Sequence, residues 1–171
     1  YQYSSGSWSQ MGSDIDGEAV GDKFGLVVAI NDAGDRIAVG GPENDGSASR
    51  AGHARVYSYN GSAWVQLGAD IDGEGVNDRF GRTISLNAAG DRVAIGTGEN
   101  DGTANNAGHV RVFSYNGSAW TQLGADIDGE AASDNFGYAV SINDAGSRIA
   151  IGALYLSLIH ISEPTRHRFI A

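Results

Sequence analysis

The feature that most constrains this chain is a sequence repeat with a period of 56 residues. Its clearest markers are three tryptophans and three phenylalanines at the same spacing: Trp8, Trp64, Trp120, Phe24, Phe80 and Phe136. A period of this length is typical of stacked structural units, each too small to bury its own apolar face. Each motif therefore has to be interpreted within the repeat.

Each repeat contains four short segments with the composition of β-strands. In the second copy that begins with Phe-Gly they span residues 80–86, 92–96, 109–115 and 119–123. These segments are rich in Val, Ile, Tyr and Phe, and no helical periodicity of useful length appears. The sequence therefore predicts an all-β fold.

Short and long connections alternate between the predicted strands. Residues 87–91 and Asn116-Gly117 have the composition of tight turns, whereas residues 97–108 and 124–135 form longer loops. Successive connections of an up-and-down antiparallel sheet lie at opposite ends, so we expect the long loops to share one edge. That edge would carry six acidic residues: Asp70, Asp72, Glu74, Asp78, Glu99 and Asp101.

Four strands in each repeat predict tandem four-stranded antiparallel blades of a β-propeller. Residues 1–153 supply about 2.7 blades, whereas closure needs about four to eight. We therefore expect an incomplete propeller, truncated at both ends, or one whose open faces associate with one another. Trp64 and Phe80 are interpreted as packing between blades, with ligand stacking as the alternative.

The repeat stops after Ala153, and residues 154–171 lose its glycine-rich acidic character. Residues 156–166 resemble a sequencing adapter translated in frame, so we interpret the tail as non-native and exclude it from the fold. The alternative is a divergent C-terminal strand, because residues 156–161 have good β-propensity.

Charge and composition exclude several classes of function. The chain has 21 acidic residues against 11 Lys and Arg, for a net charge of −10. This charge argues against nucleic acid and anionic membranes as partners. No segment is long and apolar enough for membrane insertion. With no cysteine there is no thiol chemistry and no disulfide.

The repeated Asp-Ile-Asp-Gly-Glu motif resembles the start of a calcium loop, with carboxylates at alternate positions and another aspartate four residues after the glutamate. The candidate Ca²⁺ ligands are Asp14, Asp16, Glu18, Asp22, Asp70, Asp72, Glu74, Asp78, Asp126, Asp128, Glu130 and Asp134. The last EF-hand ligand has no counterpart, because Gly81 stands at that position in the second copy. The alternative is a solvated acidic turn that ends a strand.

Two other kinds of site find little support in the sequence. His53 and His109 each begin a predicted strand, and neither has a second His or Cys nearby that would indicate a transition-metal site. No serine lies in a nucleophile elbow, and the carboxylates recur in every copy. We therefore predict that the protein is not an enzyme.

The Phe-Gly pairs at residues 24–25, 80–81 and 136–137, with Val39-Gly40-Gly41-Pro42, resemble the FG-GAP repeats of integrin-α-like β-propellers. The resemblance covers residues 1–153. It implies an extracellular or cell-surface location, adhesion or protein binding, and calcium in the loop between the first two strands of a blade. The corresponding loops here, residues 31–35, 87–91 and 143–147, are short and poor in carboxylates.

These observations favour a non-enzymatic binding or adhesion module. It would be a fragment of a larger exported or cell-surface propeller protein, would contact the remaining blades of that protein, and would recognise a protein or glycan through its acidic long-loop face. One alternative is the propeller portion of a polysaccharide- or phosphate-directed enzyme whose active site lies in other blades. Another is a structural spacer without a ligand.

Overall fold

The computed structural model describes residues 1–156 and shows an all-β protein. Fourteen strands and no helix occur in these residues. The prediction of an all-β antiparallel fold is confirmed. Most of the tail predicted to be non-native, and most of the adapter-like segment, lies outside the described residues.

The strands form two hairpins and two larger sheets. The N-terminal hairpin contains β1 (Gln2–Ser4) and β2 (Ser7–Ser9), and the C-terminal hairpin contains β13 (Phe136–Ile142) and β14 (Ile149–Ala153). The first complete sheet consists of β3 (Val27–Ile30), β4 (Arg36–Gly41), β5 (His53–Tyr59), β6 (Trp64–Gln66) and β7 (Ile71–Asp72). The second consists of β8 (Thr83–Leu86), β9 (Arg92–Thr97), β10 (His109–Tyr115), β11 (Trp120–Gln122) and β12 (Ile127–Asp128).

Strand order within each complete sheet follows the sequence, as predicted. β3, β4, β5 and β6 are antiparallel neighbours, and so are β8, β9, β10 and β11. Several bounds differ from the prediction: β9 ends one residue later, β11 is one residue shorter at each end, and β8 begins at Thr83 and not at Phe80. Phe80 instead forms an isolated bridge with Gly52 of the preceding repeat.

The acidic motif is partly a strand, which the sequence did not predict. Ile71 and Asp72 form β7, which pairs with β5 through Ala54 and His53, beyond the end of β6. β12 pairs with β10 in the same way. The motif is therefore a continuation of the outer edge of its own sheet before it becomes a connector to the next sheet.

The first complete sheet packs face to face on the second, and the second packs on the C-terminal hairpin. Ala38, Val56 and Ile71 of the first complete sheet lie in one buried cluster with Ile84 and Phe113 of the second. Phe80 is fully buried in this cluster, which confirms its interpretation as a packing residue. A smaller cluster joins the second complete sheet to the C-terminal hairpin. Burial of one such aromatic side chain stabilises the fold by about 1.5–3 kcal/mol.

The glycine of the Phe-Gly pair lets neighbouring sheets approach closely. A Cβ atom on Gly81 would lie 2.2 Å from the carbonyl oxygen of His53, in the preceding sheet. Gly25 has the same type of backbone, with φ +89° against +88° at Gly81, but its Cβ position is open. Of these two glycines, Gly81 alone adds a steric requirement to the conformational one.

We expect Gly81→Ala to destabilise the protein by at least about 2 kcal/mol more than Gly25→Ala, because both changes strain a left-handed backbone but only one creates a clash. Thermal unfolding followed by circular dichroism compares the two variants directly. Equal losses of stability would mean that the two sheets do not meet at Gly81.

Candidate functional site

The long loops and the acidic connectors lie together along one edge of the sheets, as predicted. The amides of Asn77 and Arg79 donate to the carbonyls of Ser49 and Arg50 at 2.9 and 3.0 Å. The tight turns share the opposite edge, where the Tyr59 amide donates to the Asp35 carbonyl at 2.8 Å. We call the first of these the acidic edge: residues 13–23, 42–52, 69–80, 98–108 and 125–135.

The last aspartate of each predicted calcium loop is buried and closes its own turn. Asp78 Oδ2 accepts hydrogen bonds from the Gly75 amide at 2.7 Å and from Asn100 Nδ2 at 3.1 Å. Asp22 and Asp134 make the corresponding contact with a backbone amide in their own copies. These carboxylates hold the connector and the neighbouring loop in place.

The first aspartate of each loop also has a partner inside its own repeat. Gln66 Nε2 donates to Asp70 Oδ1 at 2.7 Å, and the same contact recurs at the same distance in the other two copies. The middle aspartates, Asp16, Asp72 and Asp128, are exposed. The three aspartates of one predicted calcium loop therefore lie in different environments: the first and last are hydrogen-bonded within the protein, and the middle one is exposed to solvent.

Metal-ligating side chains instead come together from neighbouring loops. Glu18, His53 and Asp70 bring their ligand atoms within 4.8 Å of one another, and so do Glu74, His109 and Asp126. In residues 1–156 no group of three such side chains takes two members from the same loop. The calcium sets proposed from the sequence stay predictions, and the two Glu–His–Asp clusters are a grouping that sequence reasoning missed.

An arginine contacts both carboxylates of the first Glu–His–Asp cluster. Arg55 donates to both carboxylate oxygens of Asp70, at 2.9 and 2.7 Å, and pairs with Glu18. Bidentate pairs of this kind are the strongest that arginine makes with a carboxylate. Burial acts to raise the pKa of Asp70, but the hydrogen bonds from Arg55 and Gln66 together outweigh it and hold this pKa below its ordinary value.

The second cluster is arranged differently although its residues correspond one to one. Arg111 contacts Glu74 at 3.2 Å and donates to the backbone carbonyl of Asp72 at 2.5 Å. Its guanidinium lies 4.1 Å from the centre of the Phe80 ring. The side-chain donor to Asp126 is Gln122, at 2.7 Å. Arginine thus neutralises Glu74 in this cluster but leaves Asp126 to a neutral amide.

Both histidines are buried, and neither ring nitrogen has a hydrogen-bond partner. His53 and His109 are 0% and 1% exposed. Each Nδ1 faces an aspartate, at 3.4 Å from Asp70 and 3.7 Å from Asp126, without hydrogen-bond geometry. Burial, followed by the charge of the neighbouring arginine, lowers the pKa of each histidine below 6.5. Both rings are therefore neutral at pH 7.

No protein-family model matches the chain, and comparison with curated proteins finds no relative. The FG-GAP resemblance thus stays a prediction. No element in residues 1–156 has the length and apolar character of a membrane-spanning helix.

The buried histidines predict a loss of stability in mild acid. Asp70, Glu18 and Asp72 favour the charged form of His53, but burial and Arg55 outweigh them. Below about pH 6.5 these histidines therefore bind protons more readily in the unfolded chain than in the folded one. The free energy of unfolding is then highest above about pH 6.5 and falls as the pH is lowered. We expect the thermal midpoint to fall between about pH 7.5 and pH 5.5.

The double variant His53→Gln/His109→Gln should lose most of this pH dependence, even if it is less stable at every pH. Each single variant should lose part of it. A wild-type slope that persists in the double variant would show that other groups cause the acid sensitivity.

Proposed function

We propose that residues 1–153 are part of an FG-GAP-like β-propeller that acts as a non-enzymatic binding or adhesion module in an exported or cell-surface protein. Its acidic edge recognises a protein or glycan. The observation that carries the proposal is the rigid display of exposed carboxylates along one edge of repeated sheets. An apolar face at the start of the array supports the larger propeller.

The propeller is supported by how the first strand of each unit is covered. β8 contacts β3 and β4 of the preceding sheet, and β13 contacts β8 and β9. Ile84 and Leu86 of β8 are 8% and 9% exposed, whereas their counterparts Val28 and Ile30 of β3 are 65% and 62% exposed. β3 helps to cover the apolar face of β8. A further unit of the same kind, placed before β3, would cover the apolar face of β3 in the same way.

The tryptophans also indicate that a further unit precedes the first complete sheet. Trp120 Nε1 donates to the carbonyl of Leu67, and Trp64 Nε1 donates to that of Met11, both at 2.8 Å. Each bond joins the outer strand of one unit to the unit before it. Trp8 occupies the corresponding place in the N-terminal hairpin and is 69% exposed. A preceding unit would supply the missing acceptor.

Binding through the acidic edge is supported by charge and by rigidity. Exposed acidic residues recur there in each copy: Asp16, Asp45, Asp72, Asp101, Asp128 and Glu130. The loops are held by their own hydrogen bonds, as where Asp45 Oδ1 accepts from the Arg50 amide at 2.7 Å. A preorganised surface on which acidic residues predominate favours a cationic partner and fast association.

A matched pair of charge variants tests the binding surface. We expect Asp72→Asn/Asp128→Asn to weaken binding to basic extracellular proteins or glycans on an array at least about threefold, and about 0.5 M salt to weaken it further. Asp32→Asn/Asp144→Asn removes the same charge from exposed sites on the tight-turn edge. Equal weakening by both variants would contradict recognition through the acidic edge.

Calcium is a second part of the proposal, supported by the exposed carboxylates of the Asp-Ile-Asp-Gly-Glu motifs. Carboxylate oxygens are ordinary ligands of Ca²⁺. We expect calorimetric titration of Ca²⁺ into the full chain to give heat that Asp72→Asn/Glu74→Gln reduces and Asp32→Asn/Asp144→Asn does not. No heat, with a thermal midpoint unchanged by chelator, would remove calcium from the proposal but leave the binding surface untouched.

A further inference from the structure

The second Glu–His–Asp cluster combines a buried imidazole with two carboxylates from different loops. Glu74 comes from the connector between the two complete sheets, His109 from the start of β10, and Asp126 from the segment before β12. His109 is 1% exposed, and both its ring nitrogens lack a hydrogen-bond partner. A buried polar group without a hydrogen-bond partner destabilises the fold. A ligand that binds a ring nitrogen of His109 would remove this cost.

We propose that Glu74, His109 and Asp126 form a binding site for a divalent transition-metal ion of the zinc type. A histidine nitrogen and carboxylate oxygens are ordinary zinc ligands, and they lie about 3.4 Å apart around a tetrahedral ion. His109 Nδ1 is 3.7 Å from Asp126 Oδ2, and all three ligand atoms lie within 4.8 Å of one another. A movement of about 1 Å would therefore complete the set.

The members that would have to move are the accessible ones. The Glu74 side chain is 52% exposed, and that of Asp126 is 27% exposed, whereas His109 is fixed in the interior. Carboxylates can thus close on the ion around a preformed imidazole. Solvent reaches the cluster from the Glu74 side, which gives the ion an entry path.

The arginine arrangement explains why the proposal concerns the second cluster and not the first. Arg55 already contacts both carboxylates of the first cluster, so a cation there would have to displace it. Arg111 contacts Glu74 alone among the carboxylates of the second cluster, and its other contact is a backbone carbonyl. The charge of Asp126 is consequently available to a metal ion.

The test is calorimetric titration of Zn²⁺ into the full chain, repeated with Co²⁺ to follow the visible absorption of the bound ion. His160 and His167 are replaced by alanine in every variant, because these two histidines lie outside the described residues and would also bind zinc. We expect one ion per chain. His109→Gln and Asp126→Asn should each weaken binding at least about tenfold, whereas His53→Gln should leave it unchanged.

Two further variants make the outcome decisive. Asp126→Asn changes a partly exposed residue and so keeps the test valid if the buried change His109→Gln impairs folding. Arg55→Gln should create a second site by freeing the first cluster, raising the stoichiometry from one to two. The proposal is overturned by the absence of Zn²⁺ binding, by binding that survives both His109→Gln and Asp126→Asn, or by equal loss in His53→Gln. Ca²⁺ titration of the same variants keeps this outcome separate from the calcium proposal.

Discussion

The packing of one sheet on the next depends on the close approach of two backbones at the Phe-Gly pair. The His53 carbonyl occupies the space that a side chain on residue 81 would need. Phe80, one residue earlier, fills the interior between the sheets and supports the Arg111 guanidinium. The same contact thus aligns the hydrophobic core, the connector with its acidic residues, and the histidine at the start of the third strand.

The acidic residues of one motif divide into structural and exposed members because the motif changes role along its length. Ile71 and Asp72 extend the sheet beside β5, so alternate side chains of this segment point to opposite faces. Asp78, further along, turns inward to close the connector with Asn100. A sequence of closely spaced carboxylates therefore need not converge on one ion. In this chain, the convergence occurs between consecutive motifs.

Much of the fold could be predicted because it is encoded locally. The segment that forms β10 is rich in Val, Phe and Tyr and is bounded by turn signals, and its predicted bounds of 109–115 are those observed. β7 and β12 could not be found in this way, because two-residue strands have no periodicity and exist only through pairing with a distant strand. The grouping of Glu74 with His109 and Asp126 is equally non-local, since each member comes from a different segment.

The two Glu–His–Asp clusters have the same fold and the same residue types, but their arginines make different contacts. Arg55 and Arg111 occupy equivalent positions, but the Arg111 guanidinium lies 4.1 Å from the centre of the fully buried Phe80 ring, whereas that of Arg55 lies 5.7 Å from the centre of the partly exposed Phe24 ring. Cation–π contact and the Asp72 carbonyl hold that guanidinium away from Asp126, and the site keeps an uncompensated carboxylate beside a neutral imidazole. Burial of Phe80 by the neighbouring sheet thereby determines the charge available in the cluster. We therefore expect the affinity of the second cluster for a metal ion to depend on the packing of the two complete sheets. Phe80, which holds Arg111 away from Asp126, lies in the interface between these sheets.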